Sequence, residues 1–248
     1  MASDRALTLF ARTVSLIGLE AFERLQAARV AVFGLGGVGA ACAESLARSG
    51  VGTLALVDHD VIAPSNINRQ LIALHSTLGQ QKTGACARRL RDINPDINLM
   101  EYPVFYSQET AKAIPLEGFN AVADCVDTLA AKLLLAQLAP QAGAYLVSCM
   151  GTGNRMDPGK LTFDDIYRTD TCPLARRMRK ACRATGIHSL RVLYSREEPL
   201  PVVAQAAAGR HAPGAMAFVP PVAGMMMAGD IVTHLTACVR GGCNRYVR

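Results

Sequence analysis

Short apolar runs alternate with amphipathic stretches along the first 150 residues. "RVAVF", "TLALVD", "INLMEY", "NAVADCVD" and "AYLVSCM" have the length and composition of strands. Between them, "GVGAACAESLARSG", "KTGACARRLRDINP" and "TLAAKLLLAQLAPQAG" carry helical spacing, the first stopped by Gly50 and the second by Pro95. Strands separated by helices call for a mainly parallel sheet covered on both faces. The pattern therefore predicts an α/β, Rossmann-like, doubly wound fold. After Gly151 the rhythm changes. "GNRMDPGKLTFDDI" reads as a turn and an extended piece, and a basic stretch runs from Thr169 to Arg191. "LRVLYSREEP" reads as a further strand, and "PVAGMMMAGDIVTHLTACV" as a closing helix. There is no internal repeat and no low-complexity linker.

Composition narrows this picture. At 248 residues, half of them hydrophobic and 19% charged, the chain can bury a full core and is not of the disordered class. The absence of tryptophan argues against an aromatic platform for single-stranded nucleic acid. A net charge of +6 suits a polyanionic partner and equally suits plain solubility. The longest apolar stretch, "AMAFVPPVAGMMMAG", holds two prolines and runs into Asp230, so it reads as a buried helix rather than a membrane span. No secretion signal opens the chain, and the eight cysteines contain no CxxC pair. Reduced, mostly buried thiols and a cytoplasmic location are the expectation, with no structural zinc.

"GLGGVG" (Gly34, Gly36, Gly37 and Gly39) falls between a strand and a helix, the context in which glycines let backbone approach a phosphate. Asp58 follows 24 positions after Gly34, near the roughly 20-residue offset of a ribose-binding acid. A pyrophosphate held by backbone needs no further cation, yet Arg69 and Lys82 follow in the same region. A triphosphate has a use for both, and Asp127, at the end of the fourth strand, suits a phosphate-bound Mg²⁺. Each residue has a plainer reading: Asn66 and Asn68 as turn residues, Lys82 as a solvated first-turn residue, Asp127 as a helix N-cap. Their convergence at successive strand ends favours an ATP site over an NAD site.

"GLGGVG", "LVDHD", "SNINRQ", "GQQK", "INPD" and "DCVDT", in this order, resemble the ubiquitin-activating-enzyme-like adenylating superfamily of ThiF and MoeB proteins. The resemblance implies that MgATP is bound by the glycine loop with Asp58, Asp60, Ser65, Asn66, Asn68, Arg69, Lys82, Asp127 and Thr128. Asp127 would hold the metal, and Arg69, Lys82 and Asp127 would act on the phosphates. "FARTVSLIG" resembles the segment whose arginine reaches into the partner's site, which implies a homodimer and a catalytic role for Arg12; Leu9 stands where a second arginine is expected.

"SCMGTGNRMDP", "PLARRMRKACRATGI", "VLYSREEP" and "AFVPPVAGMMMAGDIV" resemble the branch of tRNA threonylcarbamoyladenosine dehydratases. That branch uses ATP to cyclise a modified adenosine beside the anticodon. The implied organisation is one adenylating domain over 1–248, with an N-terminal helical segment (1–28), a nucleotide-binding core (29–150) and a substrate-side extension (151–248). The implied partners are tRNA carrying threonylcarbamoyladenosine and the sulfur-relay proteins some relatives have. Arg176, Arg177, Arg179, Lys180, Arg183 and Arg191 would meet tRNA phosphates, against the plainer reading of a solvated helix face. Cys125, Cys149, Cys172 and Cys182 are read as structural. Competing readings are adenylation of a sulfur-carrier protein's C-terminus, an NAD-dependent oxidoreductase, and a non-catalytic nucleotide-binding adaptor.

Overall fold

The computed structural model describes residues 2–201 and 213–237. Three short helices come first: α1 (Asp4–Leu9), α2 (Ala11–Ile17) and α3 (Leu19–Ala27). Phe10 and Phe22 pack 5.4 Å apart there and, with Ala6, make a small core of their own. The alternating part follows as β1 (Arg29–Phe33), α4 (Gly39–Ser49), β2 (Thr53–Val57), α5 (Lys82–Ile93), β3 (Asn98–Tyr102), β4 (Ala121–Asp124), α6 (Leu129–Gln141) and β5 (Tyr145–Cys149). The remainder adds β6 (Leu161–Asp165), α7 (Pro173–Ala184), β7 (Arg191–Ser195) and α8 (Val219–Thr236).

The expected α/β fold is the observed one. All seven strands lie in one sheet of order β3-β2-β1-β4-β5-β7-β6, parallel except for β6, which runs antiparallel to β7. The extension after Gly151 thus continues the same sheet; its stretches 202–212 and 238–248 lie outside the described residues. Strand alternation sends Val30 and Val32 into one core, with α4, α5 and α8, and Ala31 and Phe33 into the other, with α6 and α7. Strand order reverses between β1 and β4, and a crevice opens at their C-terminal ends.

α8 is the buried helix expected of the long apolar stretch, with Val219, Ala223, Met227 and Ile231 in the core. It lies almost backbone to backbone on α4: a Cβ on Gly224 would come 2.1 Å from the Val38 carbonyl oxygen. Among the described residues no helix is long and apolar enough to cross a membrane.

Candidate active site

The crevice is a cleft of about 760 Å³, lined by the ends of β1, β2, β4 and β5 and by Pro213, Ala215 and Pro220. That volume suits a nucleotide-sized ligand. On its floor, Gly34 takes φ +84°, and a Cβ there would meet the Cys125 carbonyl oxygen at 2.7 Å. Gly39 is needed for the turn alone, since its Cβ would fall 1.7 Å from the Gly34 carbonyl oxygen, and it does not line the cleft. The N–H groups of Gly36 and Gly37, which do line it, have no backbone acceptor among the described residues. They are placed as anion donors ahead of α4.

The acid pair after β2 divides its tasks. Asp58 is buried; its carboxylate accepts from the N–H of Leu35 at 2.6 Å and of Asp60 at 2.8 Å, tying the end of β2 to the glycine turn. Asp60 is open to the cleft and pairs with the Lys82 Nζ at 2.7 Å, while Asp58 lies 3.9 Å from it. Lys82 is not a solvated residue: its side chain is 6% exposed, and its N–H donates to the Asp60 carbonyl at 3.0 Å. The structure brings Asp58, Asp60 and Lys82 together at one end of the cleft.

Arg69 lines the cleft against Gly37. Its Nη1 donates to the Ser65 carbonyl at 2.8 Å and the Asn68 Oδ1 at 2.9 Å, so these two neighbours aim the arginine and do not themselves line the cleft. Asn66 lines the cleft but takes its plain role as well, accepting from the Ala63 N–H at 3.1 Å. Asn68 Nδ2 donates to the Ala215 carbonyl at 2.9 Å. Asn68 thereby clamps the 213–220 segment as well as aiming Arg69. Asp127 is exposed at the rim and has no hydrogen bond or ion pair among the described residues. Its plain reading fails too, because Thr128 is the residue that precedes α6 as N-cap. Arg12 is exposed on α2 and lies outside its own chain's cleft.

The model of the ThiF family matches residues 10–247. The chain belongs to the ThiF family. This ThiF-family chain is 38% identical over 238 residues to the tRNA threonylcarbamoyladenosine dehydratase of Bacillus subtilis, covering 91% of this chain and 94% of that one. It is 31% identical to the Escherichia coli enzyme of the same name over 182 residues, 73% of this chain and 68% of that one. Its fold superposes with a TM-score of 0.88 on the crystal structure of E. coli TcdA in complex with ATP, at 26% identity and with 98% and 99% of the two chains covered.

Several lining residues of the ThiF-family cleft escaped the sequence reading. Val104, Phe105 and Tyr106 form an apolar wall after β3, with the buried Tyr106 hydroxyl unpartnered and its pKa pushed by burial up to about 12. The Oε1 of Gln70 is also buried and unpartnered beside the glycine turn. Beneath the cleft, Lys132 Nζ reaches both oxygens of Asp124 at 3.1 Å and the Cys149 carbonyl at 2.6 Å, and Ser148 donates to Asp124; all three side chains are buried. Three thiols line the cleft, and two are held protonated: contact with Cys42 and then burial push Cys125 up, and burial pushes Cys149 up. Reactive cysteines need the reverse shift, which agrees with a structural reading.

The basic stretch is only partly free. Arg191 sits on β7, its Nε 3.0 Å from Asp230, and is removed from the expected tRNA contacts. Arg179 is bound to the Thr169 carbonyl at 2.7 Å. Arg176, Arg177, Lys180 and Arg183 remain exposed on α7, and Arg177 also lines the cleft.

Proposed function

We propose that this chain is an ATP-dependent tRNA threonylcarbamoyladenosine dehydratase that adenylates the substrate's carboxylate and promotes its cyclisation, releasing pyrophosphate and AMP. The observation that carries this reading is the cleft itself. It sets two free glycine N–H groups and the cations of Arg69 and Lys82 around one space wide enough for a triphosphate.

Val104, Phe105 and Tyr106 offer the base an apolar wall, and Asp60, with Asp58 behind it, faces the ribose. The phosphates then cross the glycine turn toward β4. There the substrate carboxylate attacks the α-phosphorus, a new P–O bond forms and the bond to pyrophosphate breaks. Lys82 and Arg69 stabilise the charge that develops, without reorganising at that moment. Asp127, an uncommitted carboxylate at the rim, fits Mg²⁺, which supplies neutralising charge to the phosphates when bound. The acyl adenylate is next attacked by the substrate's own carbamoyl group, and AMP leaves. This second step is intramolecular, so positioning replaces an enzymatic nucleophile, in keeping with the protonated thiols.

A homodimer in which Arg12 enters the partner's cleft accords with α2 and its flanks, where Leu9, Leu16 and Leu19 are exposed beside Arg12, Leu16 by 79%. Arg176, Arg177, Lys180 and Arg183 offer tRNA phosphates a basic face leading into the cleft. The test is mass spectrometry of tRNA nucleosides after incubation with ATP. Threonylcarbamoyladenosine should lose water, and Arg69→Ala or Asp127→Ala should abolish the loss. ATP–pyrophosphate exchange that requires a Gly-Gly-ending protein and ignores modified tRNA would instead make it a sulfur-carrier adenylating enzyme.

A further inference from the structure

Next along the sheet from β4 and its Asp127 comes β5, whose following loop holds a cation that the nucleotide half leaves unused. Arg155 is 2% exposed and lines the cleft, yet its Nε and Nη1 have no hydrogen-bond partner. No acid forms an ion pair with it among the described residues. Glu197, the buried acid of the same corner, is turned to backbone instead, accepting from the N–H of Met156 at 3.0 Å and of Asp157 at 2.9 Å. A buried guanidinium with open donors is strongly unfavourable unless an anion completes it.

The loop that carries Arg155 is held firmly. Asn154 is in the left-handed region at φ 58°. Its N–H donates to the Gly214 carbonyl at 2.7 Å, its Oδ1 accepts from the Gly214 N–H at 2.6 Å, and its carbonyl accepts from Leu200 at 2.9 Å. Such a backbone conformation persists where the surroundings fix it, as they do here. The arginine is thus presented from a fixed base.

We propose that Arg155 receives the free carboxylate of the tRNA-borne substrate and positions it for attack on ATP. The inference rests on the dehydratase reading above. A guanidinium fork matches a carboxylate in two parallel hydrogen bonds. A nucleotide phosphate shares that chemistry, but the phosphates already have the glycine turn, Arg69 and Lys82 on the β1–β2 side. Arg155 follows β5, two strands away from β1 and beyond the β4 rim where Asp127 lies. Its role is to position the carboxylate; the bond changes remain those given above.

The decisive experiment compares two anticodon stem-loop RNAs, one carrying threonylcarbamoyladenosine and one with its carboxylate converted to a carboxamide. Binding to the full chain is measured without ATP, so nothing turns over. Wild type should prefer the carboxylate RNA by about 10- to 100-fold, the usual worth of a charged hydrogen-bonded pair. Arg155→Gln should lose that preference while keeping its affinity for the carboxamide RNA and for ATP. A preference that survives in Arg155→Gln overturns the proposal, as does an ATP affinity that falls by the same factor, which would make Arg155 a phosphate receptor. Should Arg155→Gln not fold, Arg155→Lys decides: it keeps the charge without the fork, must show a reduced preference, and an unreduced one overturns the proposal. Wild type that dehydrates modified tRNA yet binds both RNAs equally sinks the role of Arg155 alone. Wild type that forms no AMP with modified tRNA sinks the dehydratase reading first and this inference with it.

Discussion

Lys82 and Lys132 each reach from a helix to an aspartate at a strand end, but the two pairs face different surroundings. Lys132 is fully buried, and its three protons are met by Asp124, the Cys149 carbonyl and, at 3.4 Å, Ser148. It joins α6 to the ends of β4 and β5 and so fixes the two loops that carry Asp127 and Arg155. Lys82 is also nearly buried, but its partner Asp60 is half-exposed, and both line the cleft. A charge with every donor satisfied inside the protein has nothing left for a ligand. A charge whose partner is open to the cleft can exchange that partner for phosphate. Burial alone does not separate a structural lysine from a working one; the completeness of its partners does.

This contrast can be broken from either side. Removing Lys132 by Lys132→Met strands a buried carboxylate and should lower stability by about 3–5 kcal/mol. At about 2–4 °C per kcal/mol for a chain of this size, thermal unfolding should shift by roughly 6–20 °C; a shift of a degree or two would show that the pair anchors nothing. Lys82→Ala should act the other way. AMP formation should fall roughly 100- to 1,000-fold, as on loss of one preorganised charge-stabilising group, while the unfolding free energy stays within about 1 kcal/mol of wild type.

Mixing sharpens the assignment of Arg12. Arg12→Ala and Lys82→Ala proteins, each inactive alone, should regain roughly a quarter of wild-type activity when recombined, because half the dimers then hold one complete cleft. No recovery in a dimer shown by native mass spectrometry to be mixed would remove Arg12 from the site. A smaller change is expected on α7: Arg176→Gln with Lys180→Gln should weaken tRNA binding and flatten its salt dependence by about one to two in log–log slope. The smallest concerns the thiols. With Cys125 and Cys149 held protonated well above their usual range, iodoacetamide at pH 8 should leave both unmodified in peptide mass spectra, and rapid inactivation mapped to either residue would reinstate a covalent route.

The nucleotide half was largely legible in the sequence because its parts are local. Strand, glycine turn and helix follow one another directly, and the "SNINRQ" and "GQQK" segments lie close behind. Even so, spacing could not tell that Asp58 is tied to the Leu35 N–H of the glycine turn, or that Asp60 lines the cleft beside it. Lys132 was hidden in the apolar run "TLAAKLLLAQLAPQAG", where it reads as one polar position on a helix. Its partners come from β4 and β5, and only sheet order brings them together. Arg191 was misplaced for the same reason: in the chain it adjoins a basic stretch, but in the fold it is neutralised by Asp230 from α8. Arg155, inside the quoted "GNRMDP", gave no sign of being buried.

α8 ties these regions together. One turn lies against the helix behind the glycine loop at Gly224, and nearly two turns on Asp230 holds β5 and β7, accepting from the Tyr145 hydroxyl at 2.6 Å and from Arg191. The distance between the glycine turn and the ends of β5 and β7 is therefore measured off a single helix. A chimaera that imports the loops after β5 from a distant relative while keeping the native α8 would change the scale of one side only, and should bind both reactants yet fail to join them.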